Sequence, residues 1–219
     1  MSDPLRFLML IACAVPVILL SLTLHEWGHA FAAHLCGDDT ARNLGRMTLN
    51  PFAHIDVRGF LLLLLVGFGW AKPVPVNPRN YRRYKVGEAV VSLAGVAMNL
   101  LLAVVFSALF LLRFRLSVYH PAEWLNSEVL SSVIMYGIVI NISLFFFNLL
   151  PIFPLDGYHI FELLFAKRLP FSVFNFLRRY GQFILIGLLL LFRVIGFSPI
   201  SELIDLYLGW LIRLAIQIL

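Results

Sequence analysis

Charge is scarce in this sequence: Asp, Glu, Lys and Arg together make up 13% of its 219 residues, where a soluble domain carries about a quarter. That scarcity excludes an ordinary water-soluble fold, because too few polar side chains exist to cover the surface. Cysteine is nearly absent, with only Cys13 and Cys36. Both fall within or beside the first apolar run, so a disulfide framework is excluded and buried thiols are expected. The sequence has no internal repeat, no low-complexity tract and no polar block large enough for an appended soluble domain. A secretory signal pattern is missing as well. Residues 5–24 are apolar, but the flank is weak (Asp3, Arg6) and no A-x-A site follows, so the first segment is expected to be retained. The surplus of basic residues, +5 net, does not mark a nucleic-acid binder, since the cations sit between apolar spans where membrane topology accounts for them.

Apolar sequence fills the space that charge leaves. Hydrophobic residues make up 61% of the chain and the mean hydropathy is +0.90. Lipid is the solvent that such a composition requires. A helix needs about 20 apolar residues to cross a bilayer, and candidate spans lie at about 5–34, 87–112, 129–150, 173–197 and 202–218. The expected fold is therefore an all-α polytopic membrane protein with about five transmembrane helices. Residues 59–70, GFLLLLLVGFGW, are too short for a helical span and rich in glycine. They predict a short re-entrant β-hairpin or loop, with backbone groups satisfied by protein or water.

The distribution of cations predicts the orientation. Arg42, Arg46, Arg58, Lys72, Arg79, Arg82, Arg83 and Lys85 lie between the first two spans, and Lys167, Arg168, Arg178 and Arg179 lie around the start of the fourth. Arg6, Arg113, Arg115 and Arg193 fall to the other side. By the positive-inside rule the N-terminus is outside and the 35–86 loop cytoplasmic, in a multi-pass protein of the cell membrane. From Leu5 to His25 is about 30 Å of helix, which puts His25 near the cytoplasmic end of the first span. The span that begins near Leu130 also runs inward and ends at PIFPLDGYHI. His25, Glu26, His29 and Asp156 are thereby expected at one depth.

Ionisable groups at membrane depth are costly and functional by default. His25 and His29, four residues apart on a helix, present both imidazoles on one face, the spacing that two zinc ligands need. Glu26 can face a reacting water without being a ligand. This is the H-E-x-x-H pattern of zinc-dependent hydrolysis. With six His and six Glu in the chain, chance predicts about 0.005 occurrences. Catalytic zinc takes a third protein ligand, and Asp156, His159, His34 and His54 are the candidates. His34 is nine positions from His25, which turns it to the opposite face of the helix. Asp156 is favoured because Pro151 and Pro154 open the backbone before it and Gly157 permits a tight turn.

HEWGHA, GWAKPVPVNPRN, GVAMN and NLLPIFPLDG, in this order and spacing over residues 20–160, resemble the motifs of the site-2 protease family, in its compact form without a PDZ-like or nucleotide-sensing domain. LNPFAHIDVRGF departs from the family's usual loop at Val57-Arg58. The resemblance implies an intramembrane zinc metalloendopeptidase that cuts in or near transmembrane segments of other membrane proteins. It implies one zinc per chain on His25, His29 and Asp156, with Glu26 as catalytic acid/base. It further implies Asn148 and Asn99 near the substrate. Gly67 and Gly69 are expected to allow close approach of a substrate strand to an edge offered by the 59–76 segment. The catalytic core is expected over about 5–167 of a single domain spanning 1–219, with additional helices over about 173–219. The expected partners are transmembrane substrates and the bilayer; the sequence leaves the oligomeric state open. Two other readings are a membrane zincin acting on soluble or lipidated peptides, with Glu162 as third ligand, and a non-hydrolytic metal-binding transporter or scaffold.

Overall fold

The computed structural model describes residues 4–66, 69–120, 122–196 and 198–218. Helices dominate it: α1 (Pro4–Cys36), α2 (Thr40–Asn43), α3 (Val57–Val66), α4 (Tyr84–Tyr119), α5 (Glu128–Asn148), α6 (Asp156–Phe165), α7 (Phe171–Ile195) and α8 (Pro199–Gln217). Among the described residues no strand forms, and the single β-bridge pairs Ile55 with Ala71. Among the described residues three helices, α1, α4 and α5, are individually long and apolar enough to cross a membrane. Helices α7 and α8, expected as two further spans, reach that standard only as a bent pair. The charged residues Arg178, Arg179 and Arg193 in α7, and Glu202, Asp205 and Arg213 in α8, dilute each one. Large apolar side chains remain exposed on α4, among them Leu101 at 53% and Val104 at 54%, a surface that needs lipid rather than water around it.

The chain divides into two compact units, one of Met1–Ser21, Asn99–Phe147 and Leu190–Leu219, the other of Leu22–Met98 and Asn148–Leu189. In the first, interhelical amides act as fasteners where no hydrophobic force distinguishes helix from lipid. Asn99, fully buried, donates through Nδ2 to Asn141 Oδ1 at 3.1 Å and towards the Ser21 carbonyl at 3.5 Å. Asn141 in turn donates to the Gly137 carbonyl at 2.8 Å. Ser107 and Tyr207 share a 2.8 Å hydrogen bond that links α4 to α8.

In the second unit small residues set the spacing. A Cβ on Gly28 of α1 would stand 2.7 Å from Met98 Cγ and 3.0 Å from the Ala94 carbonyl oxygen on α4. Ala32 and Ala33 of α1 pack with Val91 of α4 and with Tyr81, and Ala30 packs with Ala41 and Val74. The expected β-hairpin is corrected here: residues 57–66 are helical. Asp56 Oδ1 accepts the backbone N–H groups of Arg58 and Gly59 at 2.9 and 3.0 Å, a capping arrangement that starts a helix. The leucine run then satisfies its own backbone, whereas a strand would need a partner. Beyond α3 the chain returns as a non-helical segment, held at Lys72, whose N–H donates to the His54 carbonyl at 2.9 Å. Gly67 lies outside the described residues; Gly69 lies just before this returning segment.

Candidate metal centre

Two elements bring the polar cluster together within the second unit. Helix α1 is unbroken through HEWGH, so His25 and His29 stand on one face one turn apart, their rings edge to face with centroids 4.6 Å apart. Asp156 is the first residue of α6, after the proline-containing turn over 149–155. That turn is tight because residue 157 is glycine. A Cβ there would lie 2.2 Å from the Leu149 carbonyl oxygen and 2.6 Å from that of Leu150, so any larger residue would push Asp156 outward.

The donor atoms converge. His25 Nε2 and His29 Nε2 are 3.0 Å apart. Asp156 Oδ2 is 3.4 Å from His25 Nε2, and Asp156 Oδ1 is 3.4 Å from His29 Nε2. Four-coordinate zinc with bonds of 2.0–2.2 Å needs donors about 3.3–3.6 Å apart; the two imidazole–carboxylate separations, each to a different oxygen of Asp156, fall in that range, and the two imidazole nitrogens stand slightly closer. The donor set, two imidazoles and a carboxylate, also suits zinc. Asp156 Oδ2 is buried without a hydrogen-bond donor, an arrangement that a cation would resolve. His25, His29 and Asp156 could therefore hold a metal ion. The tautomer of His29 is fixed from behind: its Nδ1–H donates to the Val91 carbonyl at 2.7 Å, which leaves the Nε2 lone pair as the one that could bind a metal.

The facing wall of α4 is shaped to the imidazoles. A Cβ on Gly95 would fall 2.4 Å from His29 Nε2 and 2.7 Å from His25 Cε1. Gly95→Ala is thus expected to displace both rings and weaken zinc binding by about tenfold to a hundredfold, the range seen when a ligand's surroundings are disturbed. Zinc titration of the purified protein would show this, and unchanged affinity would mean that the rings can swing clear.

Glu26 is buried beside this cluster, and its Oε2 accepts the Val74 N–H at 2.8 Å. The remaining candidates are engaged elsewhere. His34 Nδ1 pairs with Asp39 at 2.6 Å, and buried His54 bonds through Nε2 to the Thr48 carbonyl at 2.9 Å. His159 pairs through Nδ1 with Glu88 at 2.9 Å, tying α6 to α4. Glu162 is held in a two-point ion pair by Arg178, at 2.7 Å to each oxygen, and so is committed away from the cluster. Asn148 closes α5 and Asn99 serves helix packing in the other unit. The Val91 carbonyl and the Val74 N–H have no signature in residue type or spacing, and the place of Gly95 against the imidazoles, although it opens the GVAMN motif, is seen only in the folded chain.

Comparison with known proteins adds to this picture. The profile of Peptidase family M50 matches residues 115–191. YwhC of Bacillus subtilis, by name a candidate zinc metalloprotease, is 43% identical over 148 residues, which cover 68% of this chain and 67% of that one. Rip2 of Mycolicibacterium smegmatis, with the same designation, is 32% identical over 169 residues, covering 74% of this chain and 61% of Rip2. The match with Rip2 of Mycobacterium tuberculosis is 31% identical and again spans only 60% of that relative's length. No solved structure matches the chain.

Proposed function

The chain belongs to peptidase family M50, the site-2 proteases, and from that premise we propose how its residues divide the work of a zinc-dependent intramembrane protease. The carrying observation is the convergence of His25 Nε2, His29 Nε2 and the Asp156 carboxylate at separations of 3.0–3.4 Å. In this reading those three residues hold one zinc. The ion supplies Lewis-acid polarisation of a peptide carbonyl. Glu26 accepts a proton from the attacking water and returns it to the leaving amine nitrogen. Its hydrogen bond from Val74 keeps the carboxylate turned one way for both transfers. The Val91 carbonyl keeps His29 in its coordinating tautomer. Asn148, at the end of α5 beside the turn that presents Asp156, donates to the developing oxyanion or to the substrate backbone.

The substrate in this reading is a transmembrane segment of another protein, cut near the cytoplasmic face, with the N-terminus outside and α7 and α8 crossing as fourth and fifth spans. The catalytic core is residues 5–167 and the later helices are accessory. Gly67 and Gly69 allow a substrate backbone close to the returning segment. For Asn99, its bonds to Asn141 and Ser21 favour packing over a substrate role. Two observations weigh against the rivals: Glu162 is committed to Arg178, and α1 runs unbroken through the cluster, unlike the interrupted helices that carry transporter sites.

The deciding experiment reconstitutes the full chain in lipid vesicles with a model transmembrane substrate. Stripping the metal with a chelator should abolish cleavage and stoichiometric zinc should restore it. Cleavage that persists at undetectable metal content would end this reading.

A further inference from the structure

Asp38 takes no part in the chemistry assigned to Glu26, yet it is completely buried and uses both carboxylate oxygens. It sits just past the end of α1, where the chain turns at Gly37 (φ 107°). Its N–H donates to the Ala33 carbonyl at 2.9 Å while the Gly37 N–H donates to that of His34 at 3.0 Å, the paired bonds of a glycine-ended helix. The carboxylate is therefore rigidly placed relative to α1. Its Oδ2 accepts the Asn77 N–H at 2.6 Å. Its Oδ1 accepts the Asn80 amide at 2.7 Å, the Thr40 N–H at 3.1 Å and the Thr40 hydroxyl. Burial pushes this carboxyl up, but the bonds from Asn77, Thr40 and Asn80 outweigh it and hold the group below its ordinary value of 3.8. It is thus an anion at neutral pH, and its hydrogen bonds are of the stronger, charge-assisted kind.

Asn77 is three residues from Val74, and Pro75 lies between them with its backbone rotation fixed. Residues 74–77 thus form a short stiff strap over α1, fastened at one end to Asp38 and at the other to Glu26. Side-chain packing contributes at Val74, which is buried against Ala30 and Ala41. Two of the strap's neighbours, Lys72 and Pro73, offer their carbonyls to Arg46 at 2.8 and 3.3 Å.

We propose that Asp38 is a positioning residue for Glu26: by gripping Asn77 it sets the strap so that the Val74 N–H meets Glu26 Oε2 and holds that carboxylate in one orientation. This rests on the acid–base role given to Glu26.

The test is a double-mutant cycle on the full chain in vesicles. Asp38→Asn keeps the shape but turns a donor amide or a weaker acceptor toward Asn77. Val74→Pro, between two existing prolines, deletes the N–H while keeping an apolar side chain of similar bulk against Ala30 and Ala41. Each single change should lower kcat about tenfold with KM altered by no more than about twofold, and each protein should keep one zinc per chain. The double variant should be no slower than the slower single, because both act on one bond. Hydrogen exchange at the Val74 amide should quicken in Asp38→Asn while that of α1 stays slow. Should Asp38→Asn fail to fold, Asn80→Ala removes one donor and is expected to show the same pattern to a smaller degree. An unchanged kcat with a freed Val74 amide overturns the proposal, as do losses that add in the double variant. Full activity in Glu26→Gln would instead overturn the acid–base role itself. An inactive Glu26→Gln beside a fully active Asp38→Asn would remove only the positioning role.

Discussion

Glu26→Gln is expected to lower kcat about a thousandfold or more while one zinc per chain is retained. General acid–base catalysis contributes typically 10²–10⁴-fold, and a glutamine of the same shape can neither take a proton from water nor return one to the leaving nitrogen. The substitution keeps the local structure, because an amide oxygen can still accept the Val74 N–H that Glu26 Oε2 now accepts at 2.8 Å. It also leaves the donor set of His25, His29 and Asp156 untouched. KM should therefore change little, so that kcat and kcat/KM fall together, the signature of an interaction made in the transition state. Single-turnover cleavage of a membrane-embedded substrate, with zinc measured on the same sample, reads both quantities. Unimpaired cleavage would refute the assignment, and loss of zinc would move Glu26 into the set of ligands.

The second large effect is expected at the other end of the site. Asp156→Ala should weaken zinc binding by more than about a hundredfold, exceeding the 10–100-fold cost of disturbing a ligand's supporting partner, and activity should vanish with the metal. The carboxylate contributes two of the three 3.0–3.4 Å edges around the centre, and without it the two imidazoles form an incomplete clasp. His34→Ala is the matched control, since His34 pairs with Asp39 on the other side of α1 and should retain full zinc. Isothermal titration with zinc separates the two variants. Normal affinity in Asp156→Ala, or lost affinity in His34→Ala, would reassign the third ligand.

The sequence discloses the parts of this site that depend on local geometry. H-E-x-x-H is legible because helical periodicity alone puts His25 and His29 on one face. Asp156 is legible because counting residues inward along two apolar spans brings it to the same depth, and because the prolines before it announce an interrupted backbone. Other features are hidden for a common physical reason. Val74 and Val91 act through main-chain atoms, which every residue possesses, so no residue type marks them. The Asp38 carboxylate meets Asn77 only through tertiary folding, and CGDDTA alone reads as a turn. Residues 59–70 read as a re-entrant hairpin or loop because the run is too short for a helical span, and the structure instead makes 57–66 helical. Gly59, Gly67 and Gly69 suggest a hairpin, yet the Asp56 cap and an uninterrupted leucine run favour a helix over 57–66. The spans at α7 and α8 are ambiguous because their charges lie inside the apolar windows rather than between them.

The bond from His29 to the carbonyl of Val91 has a consequence for genetics. Where a carboxylate side chain supports a coordinating imidazole, a single codon change removes the support and inactivation screens find the position. Here the acceptor belongs to the polypeptide itself, and substitution of the valine by any similarly sized residue leaves it in place. A saturation survey should accordingly record position 91 as tolerant although its carbonyl is what orients His29, and inactivating changes on that stretch of α4 should cluster at Gly95, where bulk rather than chemistry is what the fold forbids.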